Sequence, residues 1–508
     1  MSERDPRVDL SDELLPEHAV AAVQALDHVG VVIVPGGSPA AALTAAAALV
    51  LLARTHAHVD VYGDAALPHN PWGVVTLSEL LTSLAAVRPI AQAEPECTLT
   101  ISTGTAPGAD RYIAPAAWTV SVTDTPSALA DNPADGIEMA VAPYGGMFAA
   151  AIVAADLFCD ALAPLGLPVA PRRPTFVWNL LDYTYESAPA SKLGPPVWAP
   201  VLFGGCGSVG SSAAAALACD DLTGMNAVAV DGDDFDPVRN TFRYPAATNR
   251  MARTAKASWV SDILAAAGAT TDHLVGPIRN WTTSQPAPGF DGIVVSSVDD
   301  VDGRYEVADL LARTTLSAAV RALSFHIQRE HLGDGLRCPF CDFVTAASPL
   351  AQAAADAKLT GLGEQRIVEL LHNDTGLEQQ DINEMLSAGK LTPETAQGLL
   401  GARLADLRNR LYAQAAIPAA DPNAAPPAPL SAPFVSWAVG VLLAAEVAKY
   451  ARGLASVNRR VEVDLLGYPG DFVHIRPADT TGRCACARAI RTRWMHALYP
   501  DAFTRTAS

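Results

Sequence analysis

The sequence predicts an α/β protein in which two strand–helix–strand units follow one another along the chain. Each unit has an apolar strand, a glycine-containing turn, a helix of small residues and a second strand, once near residues 31–62 and again near 201–231. The chain has 508 residues, of which 50% are hydrophobic, and this length suggests about three domains with sizeable cores. The same composition excludes global disorder.

Segment 1–190 is predicted to begin with an acidic helix and to continue as a parallel strand–helix–strand unit. Its strands are expected at Val31–Val34 and Val59–Tyr62, separated by a turn with two glycines and an Ala-rich helix. The turn lacks a complete Gly-x-Gly-x-x-Gly pattern, and no acidic residue follows the second strand before Asp64. We therefore interpret this unit as a packing element of a parallel sheet, with a nucleotide site as the alternative.

The charge balance is strongly acidic and disfavours several classes of partner. Lys and Arg number 35 against 54 Asp and Glu, so the net charge is 35 − 54 = −19, and the isoelectric point is near 4.9. We expect no binding to nucleic acid or to a membrane, since both favour basic surfaces. The apolar runs Pro39–Ala53 and Val439–Ala448 are shorter than the roughly 20 residues that span a bilayer. The charged start of the chain is unlike a signal peptide, and a cytoplasmic location is expected.

The second unit is interrupted by a predicted insert. Residues 195–345 carry the repeated strand–helix pattern, and 346–412 show helical periodicity with many charges, as a small helical insert would. Prolines and alanines dominate 413–433, which predicts a crossover loop or linker without regular structure. Residues 434–508 then return to an apolar helix followed by strands. The stretch 326–331, with a histidine at each end, is expected to be helical.

A glycine-rich turn opens the second unit and predicts a phosphate site. Gly205, Gly207 and Gly210 follow a strand and open a helix, where backbone N–H groups and the helix dipole favour negative charge. Asp231 ends the next strand and Asp233 lies two residues on; an acid at this place hydrogen-bonds a ribose hydroxyl. This pattern alone would favour an NAD-dependent oxidoreductase.

Charged residues further along the chain change this interpretation. Asn240 and Arg243 follow the acidic pair, Lys256 comes thirteen residues later, and Asp299 and Arg304 follow another strand. Two cations, an amide and several carboxylates around one phosphate loop suit ATP with a metal ion, because cations neutralise the phosphates and a carboxylate holds Mg²⁺. Hydride transfer requires none of these charges.

This order of residues resembles the ubiquitin-activating-type adenylating enzymes, the ThiF/MoeB superfamily. The shared elements are Gly-x-Gly-x-x-Gly, Asp-x-Asp, Asn-x-x-Arg, a lysine, and a final Asp-Asp followed by an arginine. The resemblance implies tandem Rossmann-like ThiF adenylation folds, with an inactive copy at 1–190 and an active copy at 195–345 and 434–508. It also implies that the C-terminal carboxylate of a ubiquitin-like protein or peptide attacks ATP and releases pyrophosphate.

The resemblance further implies roles for individual residues. Mg·ATP would lie on Gly205–Gly210, with Asp231 or Asp233 on the ribose. One extra residue before Asn240 leaves the choice between the two acids open. The other implied contacts are to the phosphates and the metal ion: Asn240, Arg243 and Lys256 on the phosphates and Asp299 on Mg²⁺, with Arg243, Lys256 and Asp299 catalytic.

Two close cysteine pairs are implied to bind zinc. They flank the helical insert as the paired cysteines of these enzymes flank theirs, and four thiolates form a closed tetrahedral site that stabilises the fold. A redox pair is the alternative. The implied ligands are Cys338, Cys341, Cys484 and Cys486.

The sequence offers no obvious cysteine for an enzyme-bound thioester. No cysteine lies between Cys341 and Cys484, where thioester-forming relatives carry one. Cys206 and Cys219 are expected to be buried packing residues, and Cys97 is the thiol expected at the surface. The acyl-adenylate would then pass directly to an amine, or to a thiol of a partner conjugating protein.

Two other function classes stay open from the sequence. One is a pseudoenzyme scaffold that binds nucleotide without turnover, and the other is the NAD-dependent oxidoreductase. The resemblance favours a bacterial enzyme and allows a homodimer. It also implies that an arginine of the inactive copy can reach the triphosphate, and the candidates are Arg4, Arg7 and Arg54.

Overall fold

The computed structural model divides into two compact units. One consists of Met1–Cys341 with Ser431–Ser508, and the other of Asp342–Leu430. The loop predicted at 413–433 lies outside the described residues, except for its last three positions. The structure describes residues 6–15, 17–85, 87–130, 142–170, 174–186, 195–236, 240–248, 254–286, 288–299, 301–330, 341, 353, 356–357, 359–373, 375–391, 393–396, 398–404, 407, 431–454, 460–466, 473–474, 484 and 489–500.

The first lobe, residues 6–186, is built around a six-stranded sheet. Its strands are β1 (Val29–Val34), β2 (Val59–Val61), β3 (Cys97–Ser102), β4 (Arg111–Ile113), β5 (Thr119–Thr123) and β6 (Thr175–Asn179). In space they follow the order β2-β1-β3-β4-β5-β6. The pairs from β2 to β4 are parallel, and the last two pairs are antiparallel. The parallel pairing of β1 with β2 confirms the strand–helix–strand unit predicted there.

The second lobe, residues 195–341 and 431–500, is built around an eight-stranded sheet. Its strands are β7 (Val201–Gly204), β8 (Asn226–Asp231), β9 (Thr270–Val275), β10 (Phe290–Ser296), β11 (Ala312–Arg321), β12 (Ser324–Glu330), β13 (Arg460–Asp464) and β14 (Val473–His474). Their order is β9-β8-β7-β10-β11-β12-β13-β14. The pairs from β9 to β11 are parallel and those from β11 to β14 are antiparallel. The predicted α/β class is confirmed.

Helices connect the strands of both lobes and form the second unit. They are α1 (Pro6–Leu14), α2 (Ala19–Asp27), α3 (Pro39–Thr55), α4 (Leu77–Ser83), α5 (Pro126–Ala130), α6 (Tyr144–Leu162), α7 (Ser208–Leu217), α8 (Lys256–Ala266), α9 (Ile278–Ser284), α10 (Val301–Asp309), α11 (Glu364–Asn373), α12 (Gln379–Ser387), α13 (Pro393–Ala396), α14 (Pro433–Ala451) and α15 (Ala489–Leu498).

Small and capping residues fix the helices that follow β1 and β7. α3 begins at Pro39, and the hydroxyl of Ser38 accepts the Ala41 N–H at 3.1 Å, as an N-cap does. α7 is packed against α14 so closely that a Cβ on Gly440 would lie 2.5 Å from the Ser212 Cβ. This contact between small residues holds α7 against the long helix α14.

The two sheets share one strand order. The series β2-β1-β3-β4-β5-β6 corresponds to β8-β7-β10-β11-β12-β13, with the same succession of parallel and antiparallel pairs. Along the chain of each lobe, a long apolar helix connects the last two strands of the series. This helix is α6 in the first lobe and α14 in the second. Among the described residues of the first lobe, no strand corresponds to β9 or β14.

One hydrophobic core runs through both lobes. Phe158 of α6 packs on Phe434 of α14, with ring centroids 5.4 Å apart. Polar contacts cross the same boundary: the Tyr144 hydroxyl donates to Asp220 at 3.1 Å, and Asp220 also pairs with Arg452 at 3.0 Å. Because the core is continuous across the boundary, the burial of each lobe depends on the other.

Two helices are long and apolar enough to cross a membrane by length and composition. They are Tyr144–Leu165, with 67% of its apolar window buried in the protein, and Pro433–Ala451, with 94% buried. The core helix of a soluble protein passes the same test. The second of these helices confirms the apolar helix that the sequence predicts from residue 434.

The expectation of a helix at 326–331 is wrong. His326 lies in β12 and pairs with β11 on one side and β13 on the other. Phe325 and Ile327 are buried and alternate with the half-buried His326, and this period of two is typical of a strand. His331 lies outside the described residues.

The second unit, Asp342–Leu430, contains α11 to α13 around a small core of its own. Arg366 of α11 donates to both carboxylate oxygens of Asp381, at 2.8 and 2.9 Å. Asp381 also forms a capping box with Glu378 at the start of α12. One bidentate ion pair thus fixes the angle between the two main helices of this unit.

Candidate functional site

The candidate site lies at the carboxyl ends of β7, β8 and β10. β7 is flanked by β8 on one side and by β10 on the other, so the loops that leave these strands diverge and open a crevice. The hydroxyl of Ser297, just after β10, donates to the carbonyl of Gly205 at 2.8 Å. This bond ties the loop after β10 to the glycine turn after β7.

The glycine turn has the geometry that phosphate binding needs. Gly205 has a φ of +88°, in the left-handed region that favours glycine. Gly210, in the first turn of α7, approaches it so closely that a Cβ there would lie 2.2 Å from the Gly205 carbonyl oxygen. Gly207 precedes the first residue of α7 as its N-cap. The start of α7, with its backbone N–H groups, therefore faces the crevice.

Asp231 braces this turn from the end of β8. Its Oδ2 accepts the Cys206 N–H at 2.6 Å, and its Oδ1 accepts the Asp233 N–H at 2.8 Å. Burial raises the pKa of the Asp231 carboxyl, although these two donors and the nearby Lys256 oppose the rise. A carboxylate oxygen accepts more than one hydrogen bond, so Asp231 retains capacity for a hydroxyl donor.

Lys256 begins α8 and reaches the acidic pair. Its Nζ lies 2.7 Å from Asp233 Oδ2, and its backbone N–H donates to the Asp233 carbonyl at 3.0 Å. The lysine side chain is 11% exposed, whereas that of Asp233 is 73% exposed. Burial lowers the pKa of Lys256, but Tyr244, Asp233 and Asp231 together raise it above its ordinary value. The ammonium group therefore stays charged at neutral pH.

The segment 240–248 carries two further predicted residues. The Asn240 side-chain oxygen accepts the Asp236 N–H at 2.8 Å, and the Asn240 carbonyl accepts the Arg243 N–H at 3.0 Å. The Arg243 Nε is buried and has no hydrogen-bond partner among the described residues. A buried guanidinium N–H of this kind can donate to a phosphate oxygen.

Tyr244 is a site residue that the sequence patterns do not reveal. It is 2% exposed and packs edge-on against Phe235, with ring centroids 5.4 Å apart. Its hydroxyl lies 3.9 Å from the place that a Cβ on Gly207 would occupy. Burial raises the pKa of the Tyr244 hydroxyl, which therefore stays protonated beside the turn. The only signal in the sequence is an aromatic residue directly after Arg243.

Asp299 is exposed and lies three residues beyond the end of β10. It follows Ser297, which contacts the glycine turn, so the backbone brings Asp299 to the same edge of the sheet. Arg304 lies further on, in α10. The structure thus joins the turn, the acidic pair and Lys256 by direct hydrogen bonds, and places Asp299 on the adjoining loop.

The two described cysteines of the predicted zinc set lie together. The Sγ atoms of Cys341 and Cys484 are 3.6 Å apart, and both residues are buried. This is far longer than a disulfide bond of about 2.05 Å. It is close to the roughly 3.8 Å between two thiolates on tetrahedral zinc with bonds of about 2.3 Å. Cys338 and Cys486 lie outside the described residues, among which no group of three or more metal-binding side chains occurs.

The remaining cysteines do not place a nucleophile at the crevice. Cys206 is fully buried within the glycine turn, and burial raises the pKa of its thiol well above the ordinary value. Burial likewise raises the pKa of Cys219. Cys97 is exposed, but it begins β3 and so lies at the edge of the first sheet opposite the carboxyl ends.

The first lobe has an open cleft at the corresponding place, and no charged side chain is found among the described residues that line it. A cavity of about 500 Å³ lies beside the start of α3, at the carboxyl ends of β1 and β3. The residues that the structure describes along its lining are all uncharged: glycine, alanine, proline, serine, threonine and one leucine. Asp64, the first acid after β2 in the chain, accepts the Ser78 N–H at 3.1 Å and so holds the beginning of α4.

Arg7 and Arg54, the two candidate arginines that the structure describes in the first lobe, are not placed to contact a nucleotide. Arg7 is fully buried and pairs with Asp27 at 2.6 Å. Arg54 is also fully buried and donates to backbone carbonyls of the second lobe, among them that of Tyr244. Arg4 lies outside the described residues.

Comparisons with known proteins give only distant structural likenesses. No protein-family model and no curated protein sequence matches the chain. A structure of E. coli MccB aligns with 57% of this chain and 65% of its own, at 14% identity and a TM-score of 0.34, and one of E. coli MccB with ATP aligns with 57% and 66%, at 12% identity and 0.33. A structure of PaaA aligns with 55% of this chain and 72% of its own, at 14% identity and 0.30. The chain spans just under two thirds of these MccB chains. TM-scores this low carry no information about function.

Proposed function

We propose that the second lobe binds ATP and adenylates the C-terminal carboxylate of a ubiquitin-like protein or peptide. The observation that carries the proposal is Lys256, a nearly buried cation held beside the glycine turn and the N-terminus of α7. Arg243 adds a buried N–H without a described partner on the neighbouring segment. Two cations at a phosphate turn suit a triphosphate, whereas hydride transfer to a nicotinamide requires neither. The order of the motifs, which resembles the ThiF/MoeB superfamily, supports the same function.

In the proposed binding mode each part of the site has one role. The N–H groups at the start of α7 receive the phosphates, and Asp231 accepts hydrogen bonds from the ribose hydroxyls. Asp231 suits this role better than Asp233, because Asp233 is already paired with Lys256. Lys256 and Arg243 neutralise the phosphates, and the Asn240 amide lies on the same segment as Arg243.

In the proposed reaction, an oxygen of the substrate carboxylate attacks the α-phosphorus of ATP. A new P–O bond forms, the bond from the α-phosphorus to its bridging oxygen breaks, and pyrophosphate leaves with that electron pair. Lys256 and Arg243 stabilise the negative charge that develops on the leaving group. The product is an acyl-adenylate, in which AMP is a good leaving group for a later attack by an amine or a thiol.

Asp299 is the proposed ligand for Mg²⁺. Its carboxylate belongs to the oxygen ligands that Mg²⁺ prefers, and its exposure leaves room for the water molecules that this ion retains. When bound, Mg²⁺ supplies further neutralisation of the phosphate charge. Asp299 is not hydrogen-bonded to the glycine turn itself, so it can turn towards bound phosphates.

A structural zinc site is a separate part of the proposal. The 3.6 Å between the Sγ atoms of Cys341 and Cys484 fits two thiolates of one tetrahedral ion. The other two proposed ligands are Cys338 and Cys486. Such a site would connect Cys338 and Cys341, which precede the second unit in the chain, to Cys484 and Cys486 in the C-terminal part of the chain.

The first lobe is proposed to be an inactive adenylation copy. The shared strand order and the uncharged cleft support this assignment. The described cysteine of the glycine turn, Cys206, is fully buried, so the acyl group is proposed to pass directly to an amine or to a thiol of a conjugating protein. A bacterial cytoplasmic setting and a homodimer complete the proposal.

ATP–pyrophosphate exchange tests the proposed function. Purified protein is incubated with Mg·ATP, labelled pyrophosphate and candidate small proteins or peptides that end in glycine. Exchange that depends on one candidate would support adenylation and identify the substrate class. ATP binding without exchange for any candidate would favour a nucleotide-binding scaffold, and no ATP binding would overturn the assignment of the site.

A further inference from the structure

We infer that Arg54 of the first lobe is a positioning residue for the ATP site of the second lobe. This inference rests on the function proposed above. Arg54 lies in the last turn of α3 and is fully buried. Its guanidinium donates to three carbonyls of the segment 240–248: to Tyr244 at 2.9 Å, to Ala247 at 2.5 Å and to Thr241 at 3.3 Å.

A fourth bond anchors the guanidinium to its own helix. The Nη1 of Arg54 donates to the carbonyl of Val50, one turn earlier in α3, at 2.6 Å. All three guanidinium nitrogens therefore donate to backbone carbonyls. With its nitrogens so used and no exposed surface, Arg54 does not contact the nucleotide and can act only through the segment that it holds.

A second side chain of the first lobe grips the same segment. The indole Nε1 of Trp72 donates to the Pro245 carbonyl at 3.3 Å, and the Trp72 ring stacks on Trp437 of α14 at a centroid distance of 6.0 Å. Four carbonyls between Thr241 and Ala247 are thus bound by side chains from the first lobe. These bonds make the first lobe part of what holds the conformation of this segment.

The segment matters because of what it carries. Arg243 provides a buried guanidinium N–H, and Tyr244 places its hydroxyl beside the glycine turn. The carbonyl of Tyr244 is one of those that Arg54 holds, so movement of Arg54 would move both side chains. The first lobe would in this way contribute to nucleotide binding in the second.

The charge of Arg54 is retained under ordinary conditions. Burial lowers its pKa to about 9, so the guanidinium is protonated at neutral pH. A lysine at this position would lose the fork, since one ammonium group cannot reach three carbonyls in a planar arrangement, and burial lowers the pKa of an ammonium group as well. Arg54→Lys therefore removes the planar set of bonds that holds the segment 240–248.

Arg7 provides a matched control. It is an equally buried arginine of the first lobe, but its ion pair is with Asp27 of the same lobe, at 2.6 Å. Arg7→Lys should destabilise the fold to a comparable degree without loosening the segment 240–248. A variant with a smaller effect is Trp72→Phe, which removes the bond to Pro245 and keeps an aromatic ring against Trp437.

Hydrogen exchange of the full-length protein, read by mass spectrometry, tests the inference without nucleotide. The amides of Arg243, Tyr244 and Ala247 are bonded within the segment and report on its order. Arg54→Lys should raise their exchange rates by about tenfold, Trp72→Phe by less, and Arg7→Lys not at all. Unchanged exchange in a folded Arg54→Lys protein would overturn the inference, as would equal loosening in Arg7→Lys.

ATP titration then links the segment to the site. We expect Arg54→Lys to weaken ATP binding by about tenfold, and in the exchange assay to raise the KM for ATP while leaving the KM for the carboxylate substrate unchanged. Wild-type ATP affinity in a variant whose segment is loosened would overturn the positioning role. If the wild-type protein itself binds no ATP, the proposed function fails, and the hydrogen-exchange comparison still decides whether Arg54 orders the segment.

Discussion

The two lobes share a strand order but differ in the turn that follows β1 in the first lobe and β7 in the second. The third residue of the following helix is Gly210 in the second lobe and Ala41 in the first. A Cβ at Gly210 would collide with the Gly205 carbonyl, whereas the first-lobe turn already accommodates the Ala41 side chain and is capped by Ser38. At the third position of the helix, the second turn therefore requires glycine and the first does not.

The lobes also differ in what surrounds the turn. In the second lobe, the acidic pair, the segment 240–248 and Lys256 all lie in the stretch from the last residue of β8 to the first residue of α8. In the first lobe, α4 and then β3 follow β2, and every described residue that lines the cleft is uncharged. A shared topology therefore fixes where a crevice forms, and the residues added around it decide what the crevice can bind.

Removal of the buried cation Lys256 is expected to have the largest effect on the reaction of any change that leaves the fold intact. We expect Lys256→Met to reduce ATP–pyrophosphate exchange by about 10²–10³-fold, because it removes a preorganised charge from the phosphates. The partner Asp233 is mostly exposed, so the melting temperature should change little. The control is Lys390→Met, at an exposed lysine of the second unit. Wild-type exchange in Lys256→Met would remove Lys256 from the site.

Gly210→Ala gives the second lobe the residue that the first lobe has. The new Cβ would lie 2.2 Å from the Gly205 carbonyl and 2.7 Å from the Ser297 hydroxyl, so the turn must move. We expect a loss of about 1–3 kcal/mol, seen as roughly 10- to 100-fold weaker ATP binding. Gly37→Ala is the matched control, because a Cβ there meets nothing within 4 Å. Equal ATP affinities in the two variants would contradict the difference between the turns.

Loss of a proposed zinc ligand should affect stability more than ATP binding. We expect Cys341→Ser to lose most of its zinc and to melt about 5 °C or more below the wild type, as structural zinc contributes to folding. Cys97→Ser, at an exposed thiol, should change neither property. Metal analysis and thermal unfolding measure both. If chelation leaves the wild-type protein fully metal-free and its melting temperature is the same as before chelation, the zinc site is excluded.

The smallest effect on the reaction is expected in the first lobe. Ser38→Ala removes the N-cap of α3 beside the uncharged cleft and should cost about 1 kcal/mol of folding free energy. The affinity for ATP should stay at the wild-type value, since this cleft does not hold the nucleotide. Denaturant unfolding and ATP titration provide the two readings. A large loss of ATP affinity without a matching loss of stability would place nucleotide in the first lobe.

The sequence predicted the parts of the site that depend on local pattern. The strand, glycine turn and helix around Gly205–Gly210 are visible because small residues and glycines have local conformational consequences. Asp231 was recognisable as the acid that ends the next strand. The contact of Asp233 with Lys256 brings two of the charged residues after β8 together near the turn.

The rest of the site depends on contacts between distant parts of the chain. Arg54 reaches Tyr244 across 190 residues, and no local pattern marks a helix-end arginine as a ligand for carbonyls elsewhere. Tyr244 was missed because its place beside the turn follows from the packing of the segment 240–248. The strand around His326 was mistaken for a helix because its alternation of buried and half-buried residues is short and lies next to polar sequence.

Calorimetric titration of the full-length protein with Mg·ATP tests the central claim most directly, when combined with hydrogen exchange in the bound state. The account predicts one ATP per chain, with protection of the amides at 205–211 and 240–248 and none at 36–41. Two sites per chain, or protection at the first-lobe turn, would contradict the contrast between the lobes. Saturable binding at one site that leaves 205–211 unprotected would contradict the placement of the nucleotide.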